Sequence, residues 1–391
     1  MDNFSTEQVN HFILQKQHLT EDSKTEDMLK ITQDIGGLHC TMQTTPYLSL
    51  FSRSKVFSKE KLDLEAYEKH NIGKIRCIRK TVFLHKKDNI PWMINATKKQ
   101  HSKRHEDYLA HLGVSEEKYQ EIVKDILRVL EGRNLSVSEI KKELDSKENI
   151  SAMVNLACDK FKLIRSRPVK SWRDRRYTYS SFEEYFPNMD ITTISEEESR
   201  KKLVKYYIEC FGPVSENDIV WWTGLNKTET RAVLEELHEE ITQTYVGETN
   251  KNLFISKSDL KALNNTSLPK NETVNILPDL DSYLMGYKER ERYVKQEWYN
   301  HIFDRSGNAT TTILINGRVV GIWDFISSKE SKIKYFIFKK LSEEVHRAIK
   351  LQLKEIGQFI FDEEVKLLKC SSMNPLKTRV PGEVQTPLKH C

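Results

Sequence analysis

His39, Thr41 and Gln43 stand close together in GGLHCTMQTTPYLSLFSR, residues 36–53. A neutral imidazole can take a proton from water near pH 7, a hydroxyl can orient that water, and a carboxamide both donates and accepts. Gly36 and Gly37 end the preceding element, since glycine takes positive φ at little steric cost. Thr45 and Pro46 read as the N-cap and first residue of a helix, because proline loses nothing where the N–H has no partner. The polar trio therefore lies near a helix N-terminus, where backbone donors face outward and anions bind. The alternative is a plain turn, with His39 on a backbone carbonyl and Thr41 and Gln43 as turn residues. No lysine stands in this stretch, so Schiff-base chemistry from it is not expected. A thiol hydrolase using Cys40 or Cys77 with His39 or His85 is a weaker option, because neither cysteine sits in a nucleophile motif.

The elements around the turn follow from apolar spacing. Residues 5–19 read as a helix with a Ser5/Gln8 capping box, and 24–35 as a second with Met28, Leu29, Ile31 and Ile35 inward. After the glycine turn and the Pro46 helix come a helical segment near 60–70 and a strand-like run from Ile75 to His85. Helices followed by strands is the order of a winged helix. The order recurs after a polar linker at 97–107: helices at 116–131, 137–145 and 150–159, then strands at 161–167 and 175–180. It recurs again with a helix at 198–211, short helices after Ser215 and Asn226, and strands at 241–246 and 252–256. From about 270 the chain is β-rich, with Asn316-Gly317 as a hairpin signal and an amphipathic helix at 342–361 capped by Ser342. In this last region Asp281, Tyr283 and Tyr287 read as structural, and Trp221 and Trp222 further upstream read as core.

Charge is concentrated at 160–180, which holds eight basic residues: Lys160, Lys162, Arg165, Arg167, Lys170, Arg173, Arg175 and Arg176. Only Asp174 opposes them within the segment, and Trp172, Tyr177 and Tyr179 are interleaved. A basic hairpin of this kind fits a wing on a phosphate backbone, where Lys and Arg displace condensed counterions. No helix start is loaded with the Arg, Asn or Gln residues that read base edges, so a backbone binder is expected.

Bulk properties set the frame. A chain of 391 residues exceeds what one core usually serves, and 30% charged against 38% hydrophobic residues is wet but foldable. Its net charge of +5 says little until the charges are located. Six cysteines without any Cys-x-x-Cys argue against a disulfide framework or structural zinc and for reduced thiols. A polar, acidic N-terminus and the lack of long apolar runs point to a cytoplasmic protein with no membrane partner. No metal and no cofactor are expected, and a monomer is the default.

Several stretches together resemble the winged-helix DNA glycosylases of the AlkZ/YcaQ type, which unhook interstrand crosslinks and remove bulky N7-alkyl purines. IGGLHCTMQTTPYLSLFSR is similar to that family's glutamine-motif segment, with Arg53 in its arginine position. IRKTVFLHKKD is similar to its arginine-x-threonine-x-x-histidine strand, carrying Arg79 and His85. FGPVSENDIVWWTGL, VNILPDLDSYLMGYKER and NGRVVGIWDF resemble later parts of the family in the right order. The family's two catalytic positions, one residue apart and usually glutamine with glutamine or aspartate, fall on His39 and Thr41. Histidine is an accepted variant there, and threonine is a departure.

The resemblance implies an α+β fold of three tandem winged-helix domains followed by a C-terminal β-barrel-like domain. Its boundaries would be 1–96, 97–188, 189–268 and 269–370, with a disordered tail at 371–391. The catalytic candidates are His39, Thr41 and Gln43. The DNA-binding candidates are Arg53, Arg79, His85, Arg165, Arg167, Lys170, Arg173, Arg175 and Arg176, with double-stranded DNA as partner. The expected activity is monofunctional hydrolysis of the N-glycosidic bond of N7-alkylated or crosslinked purines. The competing reading, motivated by Thr41, is a winged-helix DNA-binding protein without chemistry, acting as a regulator or damage binder.

Overall fold

Short-range hydrogen bonds start most helices where their capping residues stand. The computed structural model describes residues 3–100, 103–247, 252–327, 331–376 and 388. In the helix Thr6–Lys16, Ser5 and Gln8 close the reciprocal capping box. Ser342 caps Glu343–Phe361, with Glu343 and Glu344 at its positive end. One start differs from the expectation. The helix after the glycine turn spans Thr44–Phe51, with Gln43 at the N-cap and Pro46 inside the first turn. The Thr45 hydroxyl does not cap it and reaches Asp279 instead, 3.0 Å from the carbonyl and 2.9 Å from the carboxylate.

Each repeat of the helix–strand order is present in the chain. The first has helices Met28–Asp34, Thr44–Phe51 and Lys59–Tyr67 before strands Ile72–Arg76 and Val82–Lys86. The second has Glu116–Leu130, Val137–Glu143 and Ile150–Asp159 before Leu163–Pro168 and Tyr177–Ser181. The third has Glu196–Phe211, Glu216–Thr223 and Lys227–Glu236 before Ile241–Val246 and Asn252–Ser256. The units are not separate beads. The first two pairs of strands join through Lys74 opposite Arg165 into one six-stranded sheet. The strand Asn3–Phe4 pairs in parallel with Ile241–Val246, so the start of the chain completes the third unit's sheet. Lys16 on the first helix also bridges to Asp259, 2.6 Å away. One apolar cluster runs from Phe4 through Phe83 and Phe211 to Ile322.

Three expectations are corrected. The polar stretch at 97–107, expected as a linker, is helical where it is described at 103–107, which begins the helix Lys103–His111 anchored by buried Leu109. The strand-like run from Ile75 to His85 is broken by a tight turn at Ile78–Lys80 into two antiparallel strands. The C-terminal barrel is an open five-stranded sheet whose two outer strands, Val274–Leu277 and Lys366–Lys369, do not pair with each other. The reason is the helix Glu343–Phe361, which lays Val345, Ile349, Leu353, Ile356 and Ile360 on the sheet's apolar residues. Each such side chain contributes roughly 1.5–3 kcal/mol on full burial, so the sheet covers its face without closing on itself. Asn316-Gly317 forms the expected hairpin turn, both residues at positive φ (48° and 75°).

Cys40, Cys77, Cys158 and Cys210 are free and buried, whereas Cys370 is disulfide-bonded, against the expectation of reduced thiols throughout. Of the tail at 371–391, residues 377–387 and 389–391 lie outside the described residues. Among the described residues no helix is long and apolar enough to cross a membrane.

Candidate active site

The turn at 36–43 is clamped from four directions. Gly36 and Gly37 both take positive φ, 76° and 88°. A Cβ on Gly36 would stand 2.7 Å from the Phe211 ring, and one on Gly37 would stand 2.4 Å from the His85 ring. Glycine is thus needed twice, for backbone angle and for close approach. Ser282 donates to the Gly37 carbonyl at 3.1 Å, and the Tyr177 hydroxyl donates to the Cys40 carbonyl at 3.0 Å. The short strand Leu38–His39 pairs with Val82–Lys86, setting His39 opposite Phe83.

His39 is buried, edge-on to the Phe83 ring at 4.8 Å. Burial, reinforced by the nearby Arg79 guanidinium, pushes its pKa down to about 3. The imidazole is therefore neutral throughout the physiological range. Its Nδ1 receives the Thr41 N–H at 3.4 Å. A void of about 10 Å³ lies between His39, Gly36, Phe211, Trp222 and Ser282, about the room one water occupies. Thr41 is exposed and Gln43 is buried, its amide nitrogen without a partner among the described residues, and neither lines the void.

Arg53 is not on a DNA surface. It is fully buried and donates to both carboxylate oxygens of Asp281, at 2.8 and 2.7 Å, and to the Ser49 carbonyl at 3.1 Å. Asp281 also accepts from the Ser49 hydroxyl and the Tyr283 N–H. The family-position arginine thus ties the helix Thr44–Phe51 to the C-terminal region. His85 is corrected likewise: it is fully buried beneath Gly37, has no hydrogen-bond partner on either nitrogen among the described residues, and burial lowers its pKa to about 3. Arg79 does lie beside the turn. It stacks on Trp221, with the guanidinium 3.7 Å from the ring centre. Burial and the like charge of Arg290 lower its pKa to about 10.

The basic hairpin is less naked than its sequence. Arg165 is buried and donates to Asn155, which removes it from the surface. Arg167 pairs with Glu68 at 2.7 Å, Arg176 with Asp174 at 2.8 Å, and Lys160 with Glu106 and Glu116 at 3.3 Å. Lys170, Arg173 and Arg175 remain exposed, with no carboxylate partner among the described residues. Trp172 pins the hairpin to the first unit at Tyr47, with the Lys59 ammonium over its ring, and to the C-terminal helix at Phe359.

Sequence reasoning missed Lys74, Ser282 and Arg290. Lys74 is brought beside Cys40 by the sheet, and burial lowers its pKa to about 8. Its ammonium is enclosed between the Tyr67 and Tyr177 rings and donates to Tyr67 and to the Ser166 carbonyl, so it is no accessible amine. Ser282 sits in the LDSYL stretch, whose Asp-Ser pair signals a helix start but not its neighbour. The thiol option fails: burial raises the Cys40 pKa and pushes that of Cys77 up to about 12, far from a thiolate. Trp222 is core as expected, whereas Trp221 is only half-buried under Arg79. Among the described residues no group of three or more His, Cys, Asp or Glu could hold a metal ion.

The family model for AlkZ-like DNA glycosylases matches residues 32–359. Among solved structures, the DNA glycosylase AlkZ of Streptomyces sahachiroi superposes with a TM-score of 0.73 at 16% identity, covering 94% of this chain and 100% of that one. No curated protein matches the sequence.

Proposed function

The chain belongs to the AlkZ-like DNA glycosylase family, and from that premise we propose that it is a monofunctional glycosylase of N7-alkylated or crosslinked purines in duplex DNA. The observation that carries the reading is His39, held neutral against a water-sized void in a turn clamped on every side. An N7-alkylated purine is already cationic, so its departure needs little protonation. The C1′–N9 bond breaks with its electron pair going to the purine, which becomes neutral, and a water oxygen bonds to the oxocarbenium-like C1′. The water's proton passes to solvent. A neutral imidazole suits this step because it can hold the water by hydrogen bonding without opposing, with a charge of its own, the positive charge that develops on the sugar. In this reading Thr41, exposed and with its N–H on the imidazole, orients the water or the sugar, and Gln43 is the nearby buried carboxamide of the same turn. The enclosure of Lys74 supports hydrolysis without a lyase step. The repeated helix–strand order supports three winged-helix units, with Lys170, Arg173 and Arg175 lying on the DNA backbone.

The test is incubation of the full chain with duplexes carrying N7-methylguanine or an N7-linked crosslink, followed by alkaline cleavage of abasic sites. His39→Ala is expected to abolish product while binding the duplex as the parent does. Binding without product by the parent, beside a working control, would favour the silent DNA-binding reading instead, to which the departure at Thr41 points.

A further inference from the structure

Two hairpin turns among the described residues take positive φ at both central positions, and only one has the residues for it. Asn316-Gly317 takes positive φ at both centres with the residue pair that such turns prefer. Ile78–Thr81 is the other: Arg79 (φ 51°, ψ 34°) and Lys80 (φ 61°) are both left-handed, closed by the Thr81 N–H on the Ile78 carbonyl at 3.1 Å. Long side chains are disfavoured there, so the conformation must be imposed from outside. The bracing is visible. Arg76 donates to the Lys80 carbonyl at 2.8 Å and is itself held by Asp159 of the second unit at 2.6 Å.

The strained turn presents a cation that no carboxylate among the described residues neutralises. The Arg79 guanidinium lies on Trp221, and its Nε is buried without a partner. Arg290, from the C-terminal region, approaches the same indole at 5.5 Å. It is buried, stacked on Phe303 and bonded only to neutral acceptors: Tyr287 and Gly307 carbonyls and the Tyr299 hydroxyl. Neither arginine has a carboxylate partner among the described residues. Two withdrawn guanidinium groups without a counter-charge are costly unless an anion completes them. A fork-shaped guanidinium, oriented by stacking on a residue that keeps partial exposure, matches a phosphate.

We propose that Arg79 on Trp221, backed by Arg290, seats one backbone phosphate of the DNA strand whose base is removed at His39. The proposal rests on the glycosylase reading for its occupant, and on the strained turn and the unneutralised cations for its site.

The experiment uses the full chain, a short duplex bearing one stable abasic-site analogue to set the register, and single methylphosphonates stepped along that strand. Arg79→Asn removes the guanidinium and puts in a residue that suits the turn. It is expected to melt at the parent's temperature or above, bind about tenfold more weakly, and lower the slope of log affinity against log salt by about 0.9. One neutralised phosphate should weaken the parent and leave Arg79→Asn unaffected. Arg79→Lys, which keeps charge without the fork, should retain the slope and lose a few-fold in affinity. Unchanged affinity and slope in Arg79→Asn, with no phosphate coupled to it, overturns the proposal and leaves a structural stack. Competition by inorganic phosphate beyond sodium chloride at equal ionic strength, again with no coupled phosphodiester, assigns a free anion and overturns it too. A coupled phosphate in a protein that releases no base upholds this site while the glycosylase reading fails.

Discussion

Removing Asp281 is expected to destabilise the protein strongly while leaving its DNA contacts alone. Arg53 and Asp281 are both fully buried, with two charge-assisted hydrogen bonds between them at 2.7 and 2.8 Å. Asp281→Ala leaves a guanidinium in the interior with only the Ser49 carbonyl for company. Breaking one side of a buried pair costs about 3–5 kcal/mol, because the remaining charge has neither water nor partner. An unfolding entropy of about 2.1 cal/mol/K per residue over 391 residues amounts to about 0.8 kcal/mol/K. The loss then lowers the melting temperature by about 4–6 °C if the chain unfolds as one unit, and by more if a smaller unit melts. Arg53→Ala should melt lower for the mirrored reason, an uncompensated carboxylate. Exchanging both for apolar residues of similar size, Arg53→Met with Asp281→Leu, should recover most of the loss. The assay is thermal unfolding by circular dichroism, paired with duplex binding across a salt series well below the melting point. Parent-like stability in Asp281→Ala, or a flattened salt slope in Arg53→Ala, would refute the reasoning and return Arg53 to the DNA.

Other outcomes follow from the buried histidines and the exposed wing. His39 and His85 are both held near pKa 3 in the folded state against an ordinary value of 6.5, so unfolding takes up protons between these values. Their contribution is fully present above about pH 6.5 and is lost as pH falls, at about 1.4 kcal/mol per pH unit for each histidine. Denaturant midpoints at pH 7, 6 and 5 should decline, and His85→Phe should shallow the decline; a midpoint that rises on acidification contradicts the burial argument. Replacing Lys170, Arg173 and Arg175 together by glutamine should lower the salt slope of duplex binding by about 0.9 for each phosphate no longer neutralised. The paired Arg167 and Arg176 should matter less under the same substitution, and equal effects would mean that their carboxylates yield to DNA.

Residues a few positions apart settle their structure among themselves, and that much could be read from the chain alone. Ser5 with Gln8, Ser342 before its glutamates, Gly36-Gly37 and Asn316-Gly317 all act within a turn or two of backbone, and each stands where its chemistry predicts. His39 at the centre of the clamped turn was legible for the same reason. Partners were set only by the packed fold. Arg53 meets Asp281 across 228 residues and Arg167 meets Glu68 across 99, so an expected DNA cation became an internal tie and a bare wing became partly neutralised. Lys74 and Ser282 reached the turn only because strands and helices distant in sequence share one core. The Arg79-Lys80 turn was invisible in advance because its residues argue against it, and the force that holds it comes from Arg76 and Asp159. Whether a charge is exposed, paired or withdrawn depends on the dielectric and neighbours that packing supplies, and no local pattern carries that information.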